Sequence, residues 1–294
     1  MIQERLFGTG VALVTPFLSN GEVDFKALNQ VTEHIIANGV DYLVVMGTTA
    51  ESATLSKQEK EDVLRAIIQI NHGRIPIVYG IGGNYTELVV QTIKSQDFSG
   101  IDAVLTVTPY YNKPNQSGLY RHFETVAQAS PVPIILYNVP GRTGVNLQAD
   151  TALRLAYEIP NIVATKEASG NLDQIMTILR DKPDSFMVIS GDDALTFPMI
   201  ALGASGVISV VANAVPDKMA TMVRLALQGN YDVSRKIHFD LLELVSMIFR
   251  EGSPAGVKAA LGHLGLCDSH VRLPLTPVSR SLQNQIATMV DRLA

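Results

Sequence analysis

Ile162-Val163-Ala164-Thr165-Lys166 has the length and apolar character of a buried β-strand, yet it ends in a lysine. A buried ammonium is costly unless it is paired or sheds its proton. Either the side chain snorkels to water from the strand end, or it is placed there as an amine nucleophile. Upstream, Ile134-Ile135-Leu136-Tyr137 is a second such run and ends in a phenol. A phenol is one of the side chains that can shuttle protons for an amine.

Similar runs recur along the chain. Candidate strands are Val11–Val14, Tyr42–Met46, Ile75–Tyr79, Ala103–Val107, Ile134–Tyr137, Ile162–Lys166, Phe186–Ser190 and Gly206–Val210. They are nearly continuous in apolar residues, as expected of parallel strands covered on both faces. Helical patterns fill the gaps. Ser56 with Glu59 forms a capping box, and Asn84 with Glu87 and Asn171 with Gln174 repeat its spacing. Gly39, Gly73, Gly100 and Gly203 stand where helices should stop.

Eight strand–helix pairs in roughly 225 residues predict a (β/α)8 TIM barrel. A doubly wound open sheet is the structural alternative. No G-x-G-x-x-G follows the first strand to support a dinucleotide fold, and Gly80-Ile81-Gly82-Gly83 reads as a tight βα turn. The alternation stops near residue 228. Tyr231–Phe249, Ala255–Leu264 and Val278–Leu293 read as a C-terminal helical appendage. The expected division is residues 1–228 as catalytic barrel and 229–294 as helical domain.

The chain has 294 residues, 47% hydrophobic and 17% charged, enough for a large core. A net charge of -5 and the lack of a dense basic run argue against nucleic acid as a partner. One cysteine, Cys267, allows no internal disulfide. No stretch approaches the roughly 20 apolar residues of a membrane span, and no leader pattern opens the sequence. The expected location is the cytoplasm.

In a barrel, the carboxyl ends of the strands form the active face. There the sequence puts Gly47-Thr48-Thr49-Ala50-Glu51-Ser52, Thr108-Pro109-Tyr110-Tyr111-Asn112, Tyr137 through Gly144, Lys166-Glu167, Gly191-Asp192-Asp193 and Ile208. An amine, phenols, threonine hydroxyls and the Arg142 guanidinium would share one mouth. Such an amine can attack a ketone, and the imine lets the adjacent carbon lose a proton and become a nucleophile. Hydroxyls can relay the protons, and an arginine can grip a carboxylate. Each residue also has a plain structural reading. Tyr110 and Tyr111 could pack a loop, Thr48 and Thr49 could build a turn, and Arg142 could form a surface ion pair. Asp192-Asp193 could cap a helix. The coincidence of lysine, tyrosine and threonines at strand ends favours chemistry.

Metal and triad readings find no support. His34, His72, His122, His238, His263 and His270 show no ligand spacing, and there is no G-x-S-x-G elbow. Cys267 falls in the appendage.

Gly47-Thr48-Thr49-Ala50-Glu51-Ser52, Tyr137-Asn138-Val139-Pro140 and Lys166-Glu167, in order and at matching spacing, resemble the pyruvate-dependent class I aldolase family, which includes N-acetylneuraminate lyase. The resemblance runs from Phe7 into the C-terminal helices. Thr48-Thr49, Thr108 through Pro114 and Arg142 resemble the branch that uses L-aspartate 4-semialdehyde as acceptor, rather than the sugar-acid lyases. The resemblance implies a lyase of lysine and diaminopimelate biosynthesis. In it Lys166 forms a Schiff base with pyruvate. Tyr137, Thr48 and a neighbouring subunit's Tyr111 make the proton relay. Thr49 holds the pyruvate carboxylate, Arg142 orients the acceptor, and Gly191 and Ile208 line the pocket through their backbone. It further implies a homotetramer, a dimer of dimers, with no cofactor and no metal. Another pyruvate-dependent aldolase or lyase, or a non-catalytic binding barrel, is the alternative.

Ala50 and Thr165 depart from the family's usual glycine and aliphatic residue without removing a functional group. At the positions where lysine-inhibited members hold lysine, this chain has Lys57, Lys60 and Leu88 beside Ser52, Asn84 and Tyr110. Weak or absent inhibition by lysine is therefore expected.

Overall fold

The computed structural model describes residues 2–293. Eight strands close a parallel barrel in sequence order. They are β1 (Gly8–Ala12), β2 (Tyr42–Val45), β3 (Ile77–Gly80), β4 (Ala103–Val107), β5 (Ile134–Asn138), β6 (Ile162–Glu167), β7 (Met187–Ser190) and β8 (Gly206–Ser209). The closed ring settles the barrel against the open sheet.

The continuous apolar runs follow from burial on both faces. Side chains alternate across a strand. One set, including Tyr42, Val44, Val78, Leu105, Ile135, Ile189 and Ile208, fills the barrel. The other, including Leu43, Val45, Val104, Leu136, Val188 and Val207, packs beneath the helices. Leu6, just before β1, is fully buried with the interior set.

The first strand begins three residues earlier than its apolar run, because Gly8 and Gly10 carry no side chain for a pattern to detect. Packing explains Gly10: a Cβ there would lie 2.1 Å from the Tyr42 ring. At the seam where β1 meets β8, Gly206 sits against the Gly8 backbone, and a Cβ would meet its carbonyl oxygen at 1.9 Å. At β3 the pairing starts at Ile77 rather than Ile75. Pro76 has no N–H for the ladder.

Helix signals fared unevenly. The Ser56–Glu59 capping box is formed in both directions. Asn171 accepts from the Gln174 N–H at 3.1 Å, but the Gln174 side chain turns inward instead of closing a box. Asn84 does not cap. That helix starts at Thr86, one residue later than the spacing suggests, with Tyr85 as its cap and no side-chain bond. All four glycines expected to end helices have positive φ. The last three helices are Tyr231–Arg250, Ala255–His263 and Arg280–Leu293, within two residues of expectation. Among the described residues no helix is long and apolar enough to cross a membrane.

His122 lies in the helix Gln116–Ala129 and is 3% exposed, its Nδ1 2.9 Å from Thr86 Oγ1. Burial pushes its pKa down to about 4. A ring kept neutral in the fold but charged when unfolded destabilises the protein as pH falls from about 6.5 towards 4. Between pH 7 and pH 5 the wild type should lose about 2 kcal/mol of stability from this group. Denaturant titrations of wild type and His122→Gln at both pH values read the difference. Equal losses in the two proteins would refute the assignment.

Candidate active site

Lys166 and Tyr137 are direct neighbours across β5 and β6, and Asn138 faces Glu167 one residue further on. Both side chains of the first pair enter the barrel, 5% and 6% exposed. The Lys166 amine stands 4.3 Å from the centroid of the Tyr137 ring. Lys166 has no ion-pair partner among the described residues. It is a buried amine held against a phenol.

The aliphatic stem of Lys166 is aimed from the next strand. After β7, Gly191 donates its N–H to the Glu167 carbonyl at 2.8 Å. A Cβ on Gly191 would lie 2.8 Å from Ala168 Cβ and 3.0 Å from Lys166 Cε. Only glycine leaves the lysine its path. Ile208, 1% exposed, packs among the interior side chains from β8.

Thr48 and Thr49 occupy the 3₁₀ turn Thr48–Ala50 after β2. Thr15 Oγ1 donates to the Ala50 carbonyl at 2.8 Å and anchors the turn to the loop after β1. Thr48 is exposed towards the mouth and Thr49 is buried, 5% exposed. A cavity of about 670 Å³ opens here, with Thr48, Tyr137, Tyr110 and Arg142 in its wall. Lys166, Thr49, Gly191 and Ile208 are not part of that wall. Tyr137 thus borders the cavity on one side and the amine on another. Arg142, on the short helix Pro140–Thr143, is exposed and makes no ion pair among the described residues. Its surface-ion-pair reading is not met.

Tyr111 stays outside the site in the single chain. It is 82% exposed and has φ +75°, the left-handed region that costs a residue with a Cβ.

The sequence reading placed Glu167, Asp193 and Glu51 at strand ends, but the contacts of all three escaped it. Glu167 is 1% exposed and accepts from Asn138 Nδ2 at 2.8 Å and Gln174 Nε2 at 3.1 Å. Asn146 joins through Asn138 and Gln174, at 2.9 and 2.8 Å. Burial pushes the Glu167 carboxyl up, and these donors oppose the rise. The network locks the ends of β5 and β6, and with them the tyrosine–lysine pair. Asn138 and Glu167, each one position past Tyr137 and Lys166, were the available signal.

Asp193 is the second. Asp192 caps as expected, but Asp193 is buried and accepts from the N–H groups of Val210 and Val211, both at 3.0 Å. It ties the loop after β7 to the end of β8. The third is a buried pair between Glu51 and Lys258. Thr165 faces away from the cavity among the outer packing, and its buried hydroxyl has no hydrogen-bond partner among the described residues.

Among the described residues no cluster of His, Cys, Asp or Glu could hold a metal. Cys267 is buried, and its thiol is pushed up to about 11, which leaves little thiolate.

A closed (β/α)8 barrel with a lysine, a phenol and threonine hydroxyls gathered at the carboxyl ends of its strands has the architecture of a barrel enzyme. The chain belongs to the dihydrodipicolinate synthetase family, whose pattern matches residues 5–293. It is 49% identical to a 4-hydroxy-tetrahydrodipicolinate synthase of Parabacteroides distasonis over 294 residues, covering 100% of this chain and 99% of the relative. The counterpart in Phocaeicola vulgatus is 50% identical over 293 residues, with 100% and 99% covered. Among solved structures, dihydrodipicolinate synthase from Aquifex aeolicus superposes with a TM-score of 0.94 at 44% identity, covering 98% of both chains. The enzyme from Acinetobacter baumannii, solved with pyruvate, gives 0.95 at 41% identity, covering 98% of this chain and 99% of that one.

Proposed function

We propose that this protein condenses pyruvate with L-aspartate 4-semialdehyde to 4-hydroxy-tetrahydrodipicolinate, in lysine and diaminopimelate biosynthesis. The observation that carries the reading is the buried Lys166 amine over the Tyr137 ring, at 4.3 Å. The Lys166 amine adds to the pyruvate ketone and expels water to form an imine. Loss of a methyl proton gives the enamine, whose carbon attacks the aldehyde of the second substrate. The acceptor's own amine then attacks the imine carbon, closes the ring and frees Lys166. One water leaves overall.

In this reading Tyr137 moves the protons of imine formation, because its ring borders both amine and cavity. Thr48 extends the relay, completed by Tyr111 of a neighbouring subunit. The exposure of Tyr111, Tyr85, Leu88 and Tyr110, at 82%, 62%, 57% and 43%, supports a subunit contact at this mouth. The assembly expected from it is a dimer of dimers. Thr49 binds the pyruvate carboxylate, with Gly191 and Ile208 flanking the bound ketoacid through their backbone. Arg142, in the cavity wall and without an ion pair among the described residues, takes the acceptor's carboxylate. An acceptor with a carboxylate near its aldehyde suits that guanidinium better than a sugar aldehyde. On this reading the protein works in the cytoplasm.

The test is pyruvate consumption by the purified protein with L-aspartate 4-semialdehyde and, in parallel, a panel of sugar aldehydes. Turnover with the semialdehyde alone is expected. Turnover only with a sugar aldehyde would replace the acceptor, and failure to trap a pyruvate adduct with borohydride would end the imine reading.

Gly191→Ala should lower kcat/KM by about 10- to 100-fold, because the added methyl meets Ala168 and displaces the Lys166 stem. Steady-state kinetics beside a melting curve measure this. Wild-type kinetics in a folded variant would show that the lysine's path tolerates the methyl.

Feedback by lysine should be weak. Lys60 and Leu88 line the cavity near Ser52, Asn84 and Tyr110. The Lys60 ammonium is half-buried, and burial already holds its pKa below the usual lysine range. The side-chain ammonium of a lysine brought beside it meets like charge, and the carboxylate in the wall, Glu51, is already paired with Lys258. Lysine at about 1 mM should leave the initial rate nearly unchanged. Half-inhibition at micromolar lysine would overturn this expectation.

A further inference from the structure

Glu51 follows the Thr48–Ala50 turn directly and has a left-handed backbone, φ +55°. That conformation is uncommon for a residue with a Cβ and needs support. The support is at the other end of the chain. Glu51 Oε1 accepts from Lys258 Nζ at 2.6 Å, with the two side chains 1% and 0% exposed. Glu51 Oε2 accepts from the Arg272 N–H at 2.9 Å.

Lys258 sits in the appendage helix Ala255–His263 and is itself fixed. Its ammonium also donates to the His270 carbonyl at 2.8 Å and stands 4.1 Å from the centroid of the Phe17 ring. The Arg272 guanidinium lies 4.5 Å from the same ring and donates to the carbonyls of Gly21 and Thr54. The segment carrying these residues supplies Ser253, Pro254, Pro274 and Leu275 to the cavity wall. The helical appendage is therefore keyed into the site.

A fully buried ion pair adds little net stability over an apolar pair of the same size, since desolvation offsets its attraction. It does supply direction, because two carboxylate oxygens are held by two fixed donors.

We propose that Lys258 is a positioning residue for the ketoacid-carboxylate subsite: through Glu51 it fixes the turn that presents Thr48 and Thr49. This rests on the pyruvate reading above. Lys166 and Tyr137 are carried by different strands, β6 and β5. Loss of the pair should therefore act through the turn: it weakens pyruvate binding at Thr49 and slows the chemical step only as far as the displaced Thr48 hydroxyl serves the relay.

The experiment uses the full chain with Lys258→Met and Glu51→Gln/Lys258→Met. The single change strands a buried carboxylate and is the one that can fail to fold. The double change removes both charges and keeps the test open. In the folded double variant, the pyruvate KM and the pyruvate concentration that half-saturates borohydride trapping should both rise at least about tenfold. The kcat at saturating pyruvate should fall no further than it does in a Thr48→Val variant measured beside it. A melting curve separates this from general destabilisation. A folded double variant with wild-type half-saturation in both assays overturns the proposal, as does a fall in kcat at unchanged KM. Wild-type protein that traps no pyruvate would instead remove the pyruvate reading, and this proposal with it.

Discussion

Lys166→Ala should abolish the borohydride-trapped pyruvate adduct and lower kcat by about 10⁴-fold or more. The size follows from the chemistry. The imine is a covalent intermediate, so its loss removes the path and not only part of its stabilisation. The site offers no substitute amine: Lys60, also at the cavity, lies on the helix Lys57–Asn71 and not on an inward-facing strand position. The fold should survive. The variant loses a stem packed on Gly191, but also a buried amine with no ion-pair partner among the described residues. Intact-mass spectrometry after reduction with pyruvate reads the adduct directly. An adduct of wild-type yield on the variant would place the nucleophile elsewhere and undo the role of the β5–β6 pair.

Tyr137→Phe should lower kcat by about 10²- to 10³-fold while changing the pyruvate KM little. The substitution keeps the ring that lies 4.3 Å from the amine and removes only the hydroxyl. Adding and expelling water at the imine carbon requires a proton to be delivered and recovered each time, and a general acid–base group contributes in that range. Pre-steady-state trapping should show the loss in the rate of imine formation. A loss under threefold would move the relay to the Thr48 hydroxyl.

The sequence reading was strongest where structure is local. Strands buried on both faces leave continuous apolar runs, and seven of the eight were placed near their observed positions by that signal. The exception, β1, is built from Gly8, Thr9 and Gly10 at its start. The barrel needs room for Tyr42 there, and absent side chains leave no pattern. Asn84 failed as a cap because the helix starts one residue later, at Thr86, with Tyr85 in the cap position.

The residues of the candidate site were legible because strand-end chemistry stands out against apolar strands. Their supports were not. Asn138 and Glu167 look like ordinary polar strand ends until Gln174 and Asn146 close the network around them. Asp193 reads as a cap beside Asp192, and only the return of β8 brings the Val210 and Val211 N–H groups to it.

By itself, then, the sequence determined the alternation of strand and helix, and with it the barrel. It also determined which residues stand at the strand ends. Both depend on side-chain periodicity over a few neighbouring residues. The tertiary structure alone decided that Tyr137 faces Lys166 in register, that Gly191 must stay bare beside the lysine, and that Lys258 meets Glu51 across 207 residues of chain. Those contacts are set by barrel closure and three-dimensional packing, which bring together groups whose separation along the chain carries no signal of their meeting.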